Sequence, residues 1–206
     1  MGLDRREALR RLAMGGVGTA TTVLWGDRLL AHAQAHPANE IARDAGEAWV
    51  PKVLTAEQDE TVVMLTEMII PETDTPGAKA AQVNRYIDTL LDDVDDDERE
   101  GFLGGLAWMD AQSQERFGAP FRGIASDEQH ELLTSISTPS EEATESNPGE
   151  EFFSVIKELT VKGYYTSEIG MREELGHDGR LFFVDYPGCE HPEHQNGTTP
   201  KAGGSR

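Results

Sequence analysis

The strongest constraint on the fold is that apolar residues recur at helical spacing in separate segments of the chain. The first segment opens with Thr55-Ala56-Glu57-Gln58, a capping box in which the hydroxyl of Thr55 accepts from the Gln58 amide and the Gln58 side chain reaches back. Apolar residues then follow at Val62, Leu65, Met68 and Ile69, until Pro71 stops the helix at Ile70. This pattern predicts an amphipathic helix with one buried face.

Four later segments show the same spacing, and Ser126-Asp127-Glu128-Gln129 repeats the capping-box pattern at the start of one of them. Their apolar positions are Val83, Tyr86, Ile87, Leu90 and Leu91, then Phe102, Leu103, Leu106 and Met109, then Leu132, Leu133 and Ile136, and finally Phe152, Ile156 and Leu159. We expect the third helix to end around residues 117–120. The fifth is expected to begin near Glu151, after a solvated acidic loop that starts at Thr138.

The carboxyl-terminal part of the sequence is less regular. A short sixth helix is predicted over residues 167–175, and Leu181–Val184 is a brief strand-like run. Residues 190–206 are rich in His, Pro and Gly and are predicted to form a flexible tail. The fold class predicted from these patterns is a small, irregular all-α domain of five or six helices with long loops.

Composition narrows the classes of partner. The chain has 206 residues, of which 37% are hydrophobic, enough for one modest core, and its formal net charge is −20. Such an acidic chain is repelled by phosphate backbones, which argues against a nucleic-acid partner. A single cysteine excludes an internal disulfide. Because no run of about 18 apolar residues is present, a permanent membrane span is not expected.

The amino terminus carries a sorting pattern. Asp4-Arg5-Arg6-Glu7-Ala8-Leu9-Arg10 resembles the twin-arginine export signal in its arginine pair, its spacer and its leucine. A weakly hydrophobic stretch from Leu12 to Leu30 follows, and small residues then lie at Ala31, Ala33 and Ala35. Residues 1–35 are therefore predicted to be an export signal that contains Arg5 and Arg6.

Export by this route implies a periplasmic location, and it carries proteins that are already folded. The alternative for residues 1–35 is an amphipathic helix that packs on the domain, which Gly15-Gly16 disfavours because glycine weakens helices. Residues 36–54 are predicted to be a linker between the signal and the helical domain.

The residues with catalytic or ligand-binding chemistry are few. The sequence has no glycine-rich dinucleotide motif, phosphate loop, nucleophile elbow or HExxH motif, so no catalytic residue and no bound cofactor is predicted for this chain. His130 is expected to lie on a solvent-facing helix surface. The segment Cys189–His194 combines one thiol, two imidazoles and two carboxylates, and a metal-dependent enzyme that uses this cluster is the third hypothesis for function.

Two adjacent tyrosines, Tyr164 and Tyr165, follow Gly163 and allow two interpretations. One ring can pack in the core while the other is half exposed, or an exposed ring can belong to a partner surface, where tyrosine is enriched. Neighbouring residues on a helix point about 100° apart, so both rings cannot lie on one face.

Two longer motifs carry a resemblance to a known family. Ile70-Pro71-Glu72-Thr73-Asp74-Thr75-Pro76-Gly77-Ala78 and Gly163-Tyr164-Tyr165-Thr166-Ser167-Glu168-Ile169-Gly170 resemble motifs of the gluconate 2-dehydrogenase subunit 3 family. The twin-arginine pattern and Tyr186-Pro187-Gly188-Cys189 agree with this resemblance. It covers roughly residues 54–189, and the predicted small-subunit domain is 55–189.

The resemblance implies a non-catalytic small subunit of a periplasmic complex. Its expected partners are a large flavoprotein of the glucose–methanol–choline type, which holds FAD and oxidises a sugar, polyol or sugar acid, and a cytochrome c subunit with haem c. The small subunit would carry the flavoprotein through the twin-arginine translocase, and a partner could hold the complex at the membrane. The alternative is a stand-alone periplasmic binding or structural module.

The candidate partner surface comes from the two motifs. Glu72, Asp74, Tyr164, Tyr165 and Glu168 lie at predicted helix ends, beside glycine and proline. Such segments offer hydrogen-bonding groups and flat rings, which suit a protein interface. The competing interpretation is that the polar residues of these motifs only cap helices.

Overall fold

Six α-helices provide most of the regular structure in the computed structural model, which describes residues 25–38, 49–137 and 147–179. They are α1 (Trp25–Ala35), α2 (Ala56–Ile69), α3 (Val83–Asp93), α4 (Asp96–Phe117), α5 (Ser126–Ser137) and α6 (Pro148–Tyr165). A 3₁₀ turn (Phe121–Gly123) and a π-helical turn (Gly170–Glu174) complete the regular elements of these ranges. The predicted all-α class is confirmed, while the strand-like run 181–184 and the tail 190–206 lie outside the described residues.

Helix α6 lies at the centre of the packing and contacts the other five helices. Phe152, Ile156 and Leu159 recur at helical spacing, and all three are fully buried. Phe152 packs edge-on against Phe102 of α4, with 5.4 Å between ring centroids. The chain divides at residue 176, and of the second unit only residues 177–179 are described.

Helix α1 belongs to this core, although its residues lie in the segment predicted to be an export signal. It packs against α4 and α6, and Leu29 and Ala33 are buried. Gly101 of α4 leaves room for the Trp25 ring, since a Cβ atom at that position would overlap the indole. The packed unit therefore begins before residue 55. For residues 25–35, the structure agrees with the alternative interpretation, a helix that packs on the domain. Arg5 and Arg6 precede this helix and lie outside the described residues.

Part of the predicted linker is also held against the domain. The backbone amides of Lys52, Val53 and Leu54 donate to the carboxylate of Asp88, at 2.8, 3.0 and 2.9 Å. Asp88 lies on α3 and is fully buried. Successive amides that converge on one carboxylate form an anion-binding nest, which fixes the chain just before α2 begins.

Replacing Asp88 by alanine is expected to lower the free energy of unfolding by about 3–4 kcal/mol, because the substitution leaves buried amides without their charged acceptor. Asp88→Asn keeps one acceptor oxygen and should cost less. The matched control is Asp92→Ala, which removes a surface ion pair between Asp92 and Lys52 and should cost less than about 1 kcal/mol. Urea unfolding measures all three, and equal losses for Asp88→Ala and Asp92→Ala would contradict the anchoring role.

Some helix ends were predicted correctly and others were not. The capping box of Thr55 and Gln58 is present in both directions. The second predicted box does not form: the Gln129 side chain donates to the Phe121 carbonyl, and the one comparable bond runs from the Ala125 amide to the Glu128 carboxylate, at 2.8 Å. Helix α4 ends at Gly118 in a left-handed conformation, within the predicted range.

The other corrections concern α6 and the segment that follows it. Helix α6 begins at Pro148, where the Asn147 side chain accepts from the Gly149 amide, and not near Glu151. Proline at a first helical position loses no hydrogen bond, so Pro148 starts the helix although it was assigned to the acidic loop. The predicted sixth helix is present over residues 168–174, and its part Gly170–Glu174 is π-helical rather than α-helical. None of the helices in the described ranges has the length and apolar character needed to cross a membrane.

Candidate functional site

The two family-like motifs, which are far apart in sequence, meet in the structure. The Tyr164 hydroxyl donates to the backbone carbonyl of Pro76 at 2.8 Å. The Thr75 hydroxyl donates to the Glu174 carboxylate at 2.5 Å. These two bonds place the proline-rich loop after α2 beside the carboxyl-terminal end of α6.

The proline-rich loop, residues 71–77, is shaped by one carboxylate that follows from α2. Glu67 accepts from the Glu72 amide at 2.9 Å and from the Lys79 amide at 2.8 Å, so it bridges the two ends of the loop. Gly77 permits this approach, because a Cβ atom there would lie 2.5 Å from the Glu67 carboxylate. The conformation of the loop is therefore fixed by Glu67, a residue that lies outside the sequence motif.

Hydroxyl groups build the corner after α6. Thr166 donates its hydroxyl to the Lys162 carbonyl at 2.7 Å and accepts from the Ala38 amide at 2.9 Å. Ser167 donates to the Tyr164 carbonyl at 2.6 Å and accepts from the Gly170 amide at 3.0 Å. These bonds use Thr166 and Ser167 to close the helix end, so the capping interpretation holds for both residues.

The structure divides the five candidate interface residues into two groups. Glu72, Asp74 and Glu168 are exposed, and Tyr165 is 37% exposed. Tyr164 is 1% exposed, and its inclusion in the partner surface was wrong because its ring fills the core. We call Glu72, Asp74, Tyr165 and Glu168 the loop surface.

The two tyrosines follow the first interpretation of the sequence, with one ring buried and one half exposed. Their rings meet edge to face, at 5.2 Å between centroids and 87° between planes. The buried Tyr164 ring thus supports the exposed Tyr165 ring from behind. On the same side, Glu168 pairs with Arg172 at 3.0 Å, and both side chains are solvated. The loop surface combines one braced aromatic ring with three carboxylates.

Two groups elsewhere have shifted pKa values. Burial raises the pKa of Tyr86, whose hydroxyl therefore stays protonated and donates to the Ala33 carbonyl of α1 at 3.5 Å. Burial also raises the pKa of Asp59, a shift opposed by the hydrogen bond from Asn84 at 2.8 Å and increased by the nearby Asp88 carboxylate. Tyr86 is buried and packs against Gly163, whereas Asp59 is partly buried.

Other candidate residues are placed as follows. His130 is exposed and its Nδ1 bonds to the Ser126 carbonyl at 2.8 Å, as a surface histidine would. The Cys189–His194 cluster lies outside the described residues. A groove of about 260 Å³ lies between α1 and α6, with Leu30 and Val161 in its apolar lining.

Within the described residues, one cluster of side chains that could bind a metal was not predicted from the sequence. His32, His36 and Asp93 bring two imidazoles and a carboxylate together. The spacing of four residues between the histidines was a visible signal, but both were read as parts of the signal and its linker. Asp93 is 61 residues from His32, and only the packing of α1 reveals their proximity.

Of the comparisons with known proteins, the one with family models gives a match. The model of the family described as gluconate 2-dehydrogenase subunit 3 matches residues 56–180, more than half of the chain. No curated protein and no solved structure matches the chain. The matched range includes both motifs and the whole loop surface. The chain therefore belongs to the gluconate 2-dehydrogenase subunit 3 family.

Proposed function

We propose that this protein is the non-catalytic small subunit of a periplasmic, FAD-dependent dehydrogenase that oxidises a sugar, polyol or sugar acid. FAD is held by a large flavoprotein subunit of the glucose–methanol–choline type, and haem c by a cytochrome subunit where one is present. The small subunit carries the twin-arginine signal, so that it and the flavoprotein cross the membrane together as a folded pair.

The observation that carries this proposal is the match to a family of dehydrogenase subunits, over a range in which the two motifs contact each other through Tyr164 and Pro76. Tyr165 offers a ring already braced by Tyr164, so little side-chain freedom is lost on binding. The flanking carboxylates Glu72 and Asp74 can pair with basic groups of a partner. The loop surface is therefore the proposed docking site for the flavoprotein.

Alanine at Tyr165 and at Glu72 should each weaken capture of the flavoprotein. A central aromatic anchor is worth about 2 kcal/mol, which is roughly thirtyfold in Kd. Because Tyr165 and Glu72 are exposed, the melting temperature of the small subunit should move little. The measurement is co-purification from the native host, with a flavin absorbance scan and a titration of the captured partner.

Matched controls separate docking from folding. Tyr165→Phe keeps the ring and should retain most of the affinity, while Val50→Ala removes a 73% exposed apolar side chain far from both motifs in sequence and should retain all of it. If Tyr165→Ala and Glu72→Ala lose melting temperature in proportion to affinity, the motifs are structural. If no large flavin-containing protein is captured by the unmodified chain, the stand-alone module becomes the better hypothesis.

A further inference from the structure

Three ligand-type side chains converge where α1 meets the end of α3. The Asp93 carboxylate oxygen Oδ2 lies 3.1 Å from His32 Nε2 and 3.8 Å from His36 Nε2. One ligand atom from each residue lies within 4.8 Å of the other two. The two imidazole rings are stacked, with centroids 4.6 Å apart.

Local structure explains why the histidines face the same way. His32 lies on α1 and His36 follows its last residue, where the His36 amide still donates to the Ala33 carbonyl at 3.2 Å. Residues four apart share a helix face, so both rings point toward α3. Asp93 is the last residue of α3, where a carboxylate is opposed by the helix dipole. Helix stability alone therefore does not favour an acid at that position.

The charged side chains around Asp93 favour the binding of a cation there. Arg28, one turn earlier on α1, binds Glu98 at 2.7 Å, and Lys52 binds Asp92 at 2.8 Å. Asp95 and Asp97 lie within 4 Å of Arg28 and are largely solvated. Arg99 of α4 binds Asp96 at 2.6 Å, so the corner between α3 and α4 has more carboxylates than these three cations.

We propose that His32, His36 and Asp93 bind a divalent cation of the zinc class. Zinc bonds to nitrogen and oxygen of about 2.0–2.2 Å place two ligands of one tetrahedral ion roughly 3.3–3.6 Å apart. The two distances from Asp93, 3.1 and 3.8 Å, bracket that separation. All three side chains are partly solvated, so rotation of the His36 side chain can bring its Nε2 to the ion. Water can supply the fourth ligand.

The chemistry of the donors fits this ion. Neutral imidazole Nε2 and carboxylate oxygen are zinc ligands, and a site with three protein ligands keeps one position for water. Each ring then carries its proton on Nδ1. Because His32 and Asp93 are 61 residues apart, the bound ion would tie the amino-terminal helix to the body of the domain.

The competing explanation is a simple ion pair between protonated His32 and Asp93. An exposed pair of that kind contributes about 0–1 kcal/mol and needs no ion. The two explanations differ in a direct way, since only the metal site makes zinc uptake depend on all three residues. The test uses the full chain, which also contains the second cluster Cys189–His194.

The experiment measures Zn²⁺ binding by titration calorimetry and by metal content after dialysis. The starting protein carries Cys189→Ser, His191→Ala and His194→Ala, so that the tail cluster cannot bind. We expect one zinc per chain and a higher melting temperature with zinc. His32→Ala, His36→Ala and Asp93→Asn should each weaken binding at least tenfold and remove that rise, whereas His130→Ala should change neither.

Cobalt gives an independent readout. In the unmodified chain, which keeps Cys189, Co²⁺ at His32, His36 and Asp93 should show weak visible bands without the thiolate charge-transfer band that a cysteine ligand produces. Circular dichroism without metal identifies any variant that fails to fold. If an alanine variant fails to fold, Asp93→Asn tests the site instead, because it keeps the size of the side chain. The proposal would be overturned if the starting protein, which lacks the tail cluster, took up no zinc. Equal zinc affinities of His32→Ala and His130→Ala would also overturn it.

Discussion

A chain that begins at residue 36 is expected to lose most of its stability, whereas a chain that begins at residue 24 should keep it. Helix α1 buries Leu29 and Ala33 against α4 and α6. Loss of a buried leucine side chain alone costs about 2–5 kcal/mol. Removal of the whole helix also exposes the faces of α4 and α6, and the sum approaches the roughly 5–15 kcal/mol that stabilises a typical domain.

Urea unfolding of the two shortened chains measures the difference. Leu29→Ala in the full chain should lower the unfolding midpoint strongly, because Leu29 is fully buried. Gln34→Ala is the matched control on the same helix, since Gln34 is exposed. Equal midpoints for the two shortened chains would show that α1 adds nothing to the fold.

The position of α1 also bears on signal processing. The small residues Ala31, Ala33 and Ala35 at the end of the predicted signal lie within α1, and Ala33 is buried. A peptidase needs an extended, accessible segment, which a packed helix does not provide. If the chain folds before export, the exported protein should retain Trp25–Ala35, and intact-mass measurement of the periplasmic form determines its first residue.

The helical class could be predicted from the sequence because apolar spacing is a local property. Helix α2 buries Val62 and Leu65, and α3 buries the five apolar residues of its predicted face, so both helices lie where the spacing indicated. Helix α1 was only the alternative interpretation of its segment, since Trp25 and Leu29 lie in a stretch that also fits a weakly hydrophobic signal. The start of α6 was missed because Pro148 has two meanings, as a loop residue or as a first helical residue.

The loop surface was predicted only in part, because its geometry depends on distant residues. The sequence motif contains Glu72 and Gly77, but Glu67 on α2 holds the loop through two backbone amides. The choice between Tyr164 and Tyr165 could not be made from neighbouring positions, since it depends on where Pro76 lies. Asp88 likewise appeared to be one acid among many until its three amide partners were known.

Replacing Arg5 and Arg6 together by lysine is expected to leave the precursor in the cytoplasm. The twin-arginine signal is recognised by its guanidinium pair, and lysine keeps the charge but lacks the planar, five-donor group. The matched control is Arg10→Lys with Arg11→Lys, which makes the same chemical change outside the pair and should leave export nearly unchanged. Cell fractionation with an antibody to the chain measures both variants.

The same variants test whether the small subunit carries its partner. If the flavoprotein crosses only as part of a folded pair, its periplasmic dye-reduction activity should fall with the amount of small subunit in the Arg5 and Arg6 double variant. A flavoprotein that still reaches the periplasm while this chain is retained would remove the carrier role and leave the signal assignment intact. Normal export of the double variant would instead remove the twin-arginine assignment itself. The Tyr165→Ala variant separates docking from export, because it keeps the signal and should be exported without its partner.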